Sequence, residues 1–298
     1  MTPIYTPYRN GFAGFQIALN RMEEAGWIEL DSHLADRLAE KDALFAGKLD
    51  TVFQATHQSL PAQEEVWSLL TAYLVEHFPD DYVRSDGDIV LTRQDRCVRY
   101  DPLRPLLSAS RLIDEDLCLM IRHDDGWRLD AASLCFPSHW SLADKFEQPM
   151  LRIHAPVPGF ADRMAARVER IFDHLKPEQP VWRLNWSLHD EPTLHLPNLP
   201  HAPRFMGMSD QSILANAFMR IERQSLRKLP RSNAIVFAIK TYVDPLHALE
   251  RAEPQLLSDI ASAIRSMDKD QIAYKGLGPA QENVVQALEE RQKAVTAR

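Results

Sequence analysis

One imidazole in this sequence sits in a setting suited to chemistry: His154, within Ile153-His-Ala-Pro-Val-Pro-Gly159. Prolines at 156 and 158 fix φ and remove two backbone donors, and each pushes the residue before it towards extended conformations. The reading is a stiff, extended leader that holds His154 in one place, with Gly159 free to turn the chain into the next element. Rigid backbone around one histidine suits a metal or haem ligand, or a catalytic base. The plainer account is a proline-bounded strand end with a structural histidine, and the heptapeptide alone favours it.

Charged residues on candidate strands come next. Val181–Leu188 alternates with period two, so Trp182, Leu184, Trp186 and Leu188 face one way and Val181, Arg183, Asn185 and Ser187 the other. Arg183 and Asn185 could line a cavity or grip a carboxylate, although pattern alone favours a solvated face. Glu222 beside Arg223 reads either as an ion pair at a site or as an exposed charge run. His189, His195 and His201 recur among prolines at six-residue intervals, which is not the spacing of a helical metal site; a loop is expected. No P-loop, Gly-x-Ser-x-Gly elbow or His-Glu-x-x-His is present, and Gly276-Leu277-Gly278 follows no strand.

Periodicity gives the elements that must position these residues. Residues 1–30 read as an arm lying on the domain. Asp31 or Ser32 can cap a helix over about 33–46 that carries Leu34, Leu38 and Phe45. Ser59 and Pro61 open a second helix with Val66, Leu70, Tyr73 and Leu74 on one side. Asp88–Thr92 is a short strand, and Pro102 and Pro105 mark a loop. Leu117–Arg122 and Trp127–Phe136 form a hairpin around Asp125-Gly126, with Arg128 and Asp130 on its polar face. Lys145 lies between that hairpin and the His154 leader. Met164, Val168, Ile171, Phe172 and Leu175 make the most regular helix, stopped by Pro177.

Further on, Phe218–Gln224 alternates like a strand, Ser225–Leu229 looks like a helical turn before Pro230, and Ala234–Tyr242 is an apolar strand. Leu256, Leu257, Ile260, Ile264 and Met267 share a helix face, and a polar helix is expected over 279–293. The expected fold is one α+β domain over 1–298. A largely antiparallel sheet is flanked by an N-terminal helical arm (1–80) and a C-terminal helical tail (245–298).

Composition narrows the classes. A chain of 298 residues, 45% hydrophobic and 26% charged, is long enough to bury one large core. A net charge of −8 with no basic arm speaks against nucleic acid or an anionic membrane as partner. It permits a small cationic substrate or a basic partner protein. Cys97, Cys118 and Cys135 form no CxxC pair, so zinc, iron–sulfur and covalent haem attachment lack their signatures. Scattered cysteines fit a reducing compartment. Met1–Asn10 has no apolar core of a signal peptide and no run of 18 apolar residues occurs, so a cytoplasmic protein is expected.

Four stretches carry a resemblance: Trp127-Arg-Leu-Asp-Ala-Ala-Ser-Leu-Cys-Phe-Pro-Ser-His-Trp140, Ile153-His-Ala-Pro-Val-Pro158, Trp182-Arg-Leu-Asn-Trp186 and Arg220-Ile-Glu-Arg-Gln-Ser-Leu-Arg-Lys-Leu-Pro230. In that order and spacing, from about Ile17 to about Tyr242, the chain resembles the haem-dependent oxidative N-demethylase family, which includes the haem subunit of dimethylamine monooxygenase. Each motif alone is weak, and the ordered set is fairly specific. One departure is Glu147, where the family commonly has a small residue after Lys145-Phe146.

The resemblance implies a PAS-like antiparallel sheet enclosing haem b, with O₂ as co-substrate. It also implies a monooxygenase that oxidises the carbon beside the nitrogen of a small secondary amine, giving a smaller amine and an aldehyde. Such a pocket needs an axial imidazole, apolar walls and polar partners for the propionates. His154 becomes the leading axial ligand, then His195, then His139. Arg183, Asn185 and Lys145 become propionate or pocket contacts. Glu222 becomes the acidic partner of the protonated amine with Arg223 orienting it, a structural ion pair being the alternative. NADPH, flavin and an iron–sulfur centre are expected only on partner subunits, in a hetero-oligomer with a reductase. The rival expectations are a haem-binding PAS-like sensor or carrier without turnover, and a haem-free structural subunit.

Overall fold

Strand alternation and helical stripes account for most of the architecture in the computed structural model, which describes residues 2–9, 11, 17–197 and 203–297. His201 therefore lies outside the described residues. The chain enters through β1 (Asn20–Arg21), α1 (Leu34–Gly47), α2 (Leu49–Val52) and β2 (Phe53–Ala55). In α3 (Leu60–His77), Pro61 occupies the first turn, where a missing N–H leaves no bond unmade. A small meander follows: β3 (Tyr82–Ser85), β4 (Asp88–Leu91) and β5 (Arg96–Val98). Next come α4 (Pro105–Ser110) and the hairpin of β6 (Asp116–His123) and β7 (Gly126–Ser133). Gly126, at φ 132°, makes the tight return that other residues resist.

The chain then runs through α5 (Leu142–Lys145), α6 (Met150–Ile153), one π-helical turn at Phe160–Met164, and α7 (Ala165–His174). β8 (Val181–His189), α8 (Asp210–Asn216), β9 (Phe218–Lys228) and β10 (Ile235–Pro245) complete the sheet. The last helices are α9 (Leu246–Ala252), α10 (Gln255–Arg265), α11 (Lys269–Tyr274) and α12 (Gln281–Thr296). Among the described residues no helix is long and apolar enough to cross a membrane.

Seven strands pair antiparallel in the order β1-β8-β9-β10-β6-β7-β2. Because side chains alternate along each strand, the sheet has two unlike faces. The back carries Trp182, Leu184, Trp186, Met219, Ile221 and Val236, packed against α1 and α3 on one side and α10 and α12 on the other. The front carries Cys118, Met120, Leu226, Ile235 and Phe237, covered by residues 134–175. Expected helices, hairpin and apolar strands thus appear close to their predicted bounds.

Several local expectations fail for tertiary reasons. Ser225–Leu229 is no helical turn: Ser225 pairs with both Trp182 and Ala238, and Leu226 with Val181 and Phe237, so two ladders hold β9 extended to Leu226 and the β10 ladder carries it on to Lys228. Pro105 opens α4 instead of extending a loop. Asp130 is buried, where it takes hydrogen bonds from Gln58 and Thr56 and lies 2.9 Å from His123 Nε2. The final helix is amphipathic, with Val284, Val285, Ala287 and Leu288 buried, each large side chain contributing about 1.5–3 kcal/mol. The His154 stretch is not an extended leader either. His154 closes α6 at φ −101°, ψ 11°, and its amide donates to Met150 O, so the chain turns before Gly159.

Candidate functional site

The front of the β8–β9 pair carries a row of polar side chains set by register. Asn185 lies opposite Glu222, and Arg183 opposite Gln224. Asn185 Nδ2 and Gln224 Nε2 donate to Glu222 Oε2 at 3.2 and 2.9 Å. All four residues are half-buried, although their strands lie inside the sheet's order. β1 reaches only Trp182 and Val181, and no other strand among the described residues pairs with that edge of β8. Lys275, just past α11, covers it by donating to Trp186 O and, at 3.2 Å, to Asn185 Oδ1.

Residues 140–164 bring two more groups to this row. Ser141 caps α5 by accepting from the Asp144 amide, which sets Lys145 one residue on. Lys145 Nζ donates to Ile153 O at 3.0 Å and lies 4.7 Å from the Trp140 ring centroid. His154 Nδ1–H donates to Met150 O at 3.1 Å, and its ring stacks on Phe160 at 4.4 Å and 12°. Gly159 makes this contact possible, because its φ of 71° turns the chain back and leads straight into Phe160. Glu147, the departure noted above, sits at φ 59°, in the left-handed region that favours glycine.

Burial governs the charges here. It pushes His154 down to about 4, helped by the Lys145 and Arg183 cations, so the imidazole is neutral at pH 7. With Nδ1 carrying the proton, Nε2 presents a lone pair of the kind metals bind. Burial also lowers Lys145 to about 8 and Lys275 to about 7, against the pull of Glu222. Arg183 is lowered by burial, and Tyr274 is raised to about 12 by burial and by the Glu222 carboxylate.

Of the residues singled out from sequence, Lys145, His154, Arg183, Asn185 and Glu222 come together. Arg223 does not. As the next residue along β9 it points to the back of the sheet, where it pairs with Glu29 at 3.0 Å and donates to Trp27 O and Gly26 O. It therefore cannot orient Glu222, because adjacent strand residues face opposite ways. His195 donates from Nδ1 to Cys135 O at 2.7 Å and lies near Glu40 of α1, away from the cluster. His139 stacks on His189 at 5.2 Å, and His189 in turn meets Ser187 Oγ at 2.8 Å, beside Arg204 and Arg220. Gln224, Phe160, Tyr274 and Lys275 were not anticipated. Strand parity points to Gln224, two residues from Glu222; nothing in residues 274–275 signals their role.

The donor set can be tested against a haem. Lys145, Arg183 and Lys275 all lie near the Glu222 carboxylate, Lys145 lies near Asp144 as well, and Lys275, lowered to about 7, is only partly charged at neutral pH. Arg183 Nε is buried with no hydrogen-bond partner among the described residues. Trp140, Phe146, Ile153, Val157, Met164 and Phe237 are only partly buried around the front-face core. Buried basic side chains, an orphaned guanidinium N–H, apolar walls and an imidazole with a free lone pair fit a flat, dianionic, iron-bearing group. Among the described residues no group of three or more His, Cys, Asp or Glu side chains could hold a bare metal ion. The model of the family described as haem-dependent oxidative N-demethylase, alpha subunit-like, matches residues 18–285, and the chain belongs to that family.

Proposed function

We propose that this chain is the haem-carrying subunit of an enzyme that oxidatively demethylates a small secondary amine, drawing electrons from a reductase on another chain. The observation that supports it most is the front-face cluster, which unites a neutral, tautomer-fixed imidazole, the basic side chains of Lys145, Arg183 and Lys275, and the Glu222 carboxylate. In this reading the sheet and residues 134–175 form a PAS-like cradle. His154 would hold the iron through Nε2, and Arg183, Lys145 and Asn185 would hold the propionates. Haem b supplies O₂ binding and oxidation at the carbon beside nitrogen, and the resulting carbinolamine collapses to a smaller amine and an aldehyde.

The chain's own work is to bind, orient and desolvate. An ammonium entering this site loses hydration that Glu222 replaces, and Asn185 and Gln224 hold that carboxylate in place. Family membership as an alpha-subunit-like chain implies further subunits; NADPH, flavin and iron–sulfur centres belong there. The free cysteines Cys97, Cys118 and Cys135 support a cytoplasmic enzyme.

Purified chain titrated with haem should develop a stoichiometric Soret band. With a reductase and NADPH it should release formaldehyde from dimethylamine, and with NADPH alone it should not turn over. A Soret band without amine-dependent aldehyde would leave a haem carrier, and no Soret band would sink the proposal.

A further inference from the structure

The outer side of the segment that carries His154 is as organised as its inner side. On α7, Val168, Ile171 and Phe172 turn towards the front-face core. The helix's carboxylates, Glu169 and Asp173, turn to the tip of the β6–β7 hairpin. Asp173 accepts from Trp127 Nε1 at 2.9 Å and pairs with Arg122 at 3.2 Å, and Glu169 takes the Trp127 amide. What remains outside is positive. Arg167, Arg170 and His174, at i, i+3 and i+7, are exposed on one side of the helix.

Arg163, Arg152 and Lys176 extend this stripe at its two ends, all exposed. Among the described residues none of Arg152, Arg163, Arg167, Arg170 and Lys176 pairs with a carboxylate. Over residues 150–176 five Lys and Arg face three Asp and Glu, a formal +2 in a chain of −8.

Beside the stripe lies a cleft of about 390 Å³. Its floor is Leu19, Ile171, Leu175 and Val181, and its rim includes Arg21, His174 and Lys176. Ile171 and Leu175 stand where the apolar and basic sides of α7 meet, so floor and stripe are one surface. An apolar centre with a charged rim is the anatomy of a protein interface, and the sign of the rim selects the partner. Positive charge gathered here, on an otherwise acidic protein, selects an acidic one.

We propose that this face docks the acidic, electron-delivering subunit of the enzyme. The inference rests on the reading above that electrons come from a separate chain. Its position suits the task. Arg152 is two residues from His154, and Phe160, which stacks on His154, opens the turn that leads into α7. A partner seated on α7 lies on the outer side of the same short segment whose inner side presents the imidazole.

The test uses the full chain and, as probe, an acidic plant-type [2Fe–2S] ferredoxin. Association is measured by calorimetry, with and without haem, at low and high ionic strength. Arg167→Glu/Arg170→Glu should weaken binding at least tenfold and flatten its salt dependence. Lys48→Glu/Arg99→Glu, an equal charge change at exposed residues between other elements, should leave it unchanged. In haem-loaded protein the rate of reduction by ferredoxin should fall with the affinity, while reduction by dithionite stays the same. Equal binding by wild type and stripe variant, equal weakening in the control variant, or no association of wild type at low salt overturns the proposal. So does a wild-type dimer that the stripe variant breaks, since the occupant is then a second copy. Because calorimetry on haem-free chain needs no haem chemistry, failure of the demethylase reading shows separately, as a missing Soret band or missing aldehyde.

Discussion

Replacing Glu222 by glutamine removes one charge and keeps the side chain's shape. In the native site its Oε2 accepts from Asn185 and Gln224 at 3.2 and 2.9 Å, and a glutamine carbonyl can occupy the same position. The difference lies in what surrounds it. Lys145, Arg183 and Lys275 each draw on the Glu222 carboxylate as their opposing charge. A protonated amine bound beside Glu222 loses, in Glu222→Gln, a charge-assisted hydrogen bond of about 1.5–3 kcal/mol. That corresponds to on the order of ten- to a hundredfold in affinity. Amine titration followed through the haem spectrum reports binding, and formaldehyde release reports turnover. Haem content should not change, because His154 and the cations are untouched. Wild-type binding and turnover in this variant would place Glu222 outside the substrate site and leave it a structural role.

Three further outcomes are expected. His154→Ala should lose haem while far-UV circular dichroism stays native, since one coordinate bond goes and the apolar walls remain; an unchanged Soret band would refute the ligand assignment. On acidification the haem-free chain should keep its stability from pH 8 to about 6.5 and lose part of it as pH falls towards 4, where buried His154 gains its proton, and haem should leave only at lower pH because iron and proton compete for the same nitrogen. The sign follows from burial: the folded pKa is depressed below that of the unfolded chain, so the unfolded state takes the proton first and stability falls as pH drops from about 6.5 to 4. A pH titration of the Soret band and of urea midpoints checks both. Arg223→Met should cost about 3 kcal/mol in urea unfolding, because Glu29 and the Trp27 and Gly26 carbonyls lose their buried partner. The folded fraction should keep native haem binding and amine affinity, and a normal midpoint with lost turnover would return Arg223 to the site.

Period-two and helical stripes were legible wherever a single element decides its own faces. The β8 alternation separated Arg183 and Asn185 from the tryptophans, and the same rule applied to β9 places Glu222 with them and Arg223 behind. Proline chemistry misled at His154, since prolines at 156 and 158 suit a turn following a short helix as well as an extended leader. Ser225–Leu229 misled because its strand conformation comes from two neighbours distant in sequence. Lys275 could not be read at all. Its role depends on β1 stopping after two residues, which leaves a strand edge for the C-terminal region to cover. The basic stripe was equally hidden, since Glu169 and Asp173 are interleaved with the arginines of residues 163–174 in sequence, and only the fold turns both acids to the β6–β7 tip.

The long strand β9 acts as a partition, with its even-numbered residues Arg220, Glu222 and Gln224 in front and its odd-numbered Met219, Ile221 and Arg223 behind. Genetic variation along it should therefore divide by what each side chain holds. Loss-of-function alleles at Glu222 and Gln224 should accumulate normal amounts of protein that does the wrong thing, and those at Ile221, Arg223 and the buried Arg220, which donates to the Phe136 and Leu194 carbonyls, should produce too little protein that does the right thing. A selection scored by both abundance and activity would show the two classes interleaved residue by residue across a strand that looks uniform to either measure alone.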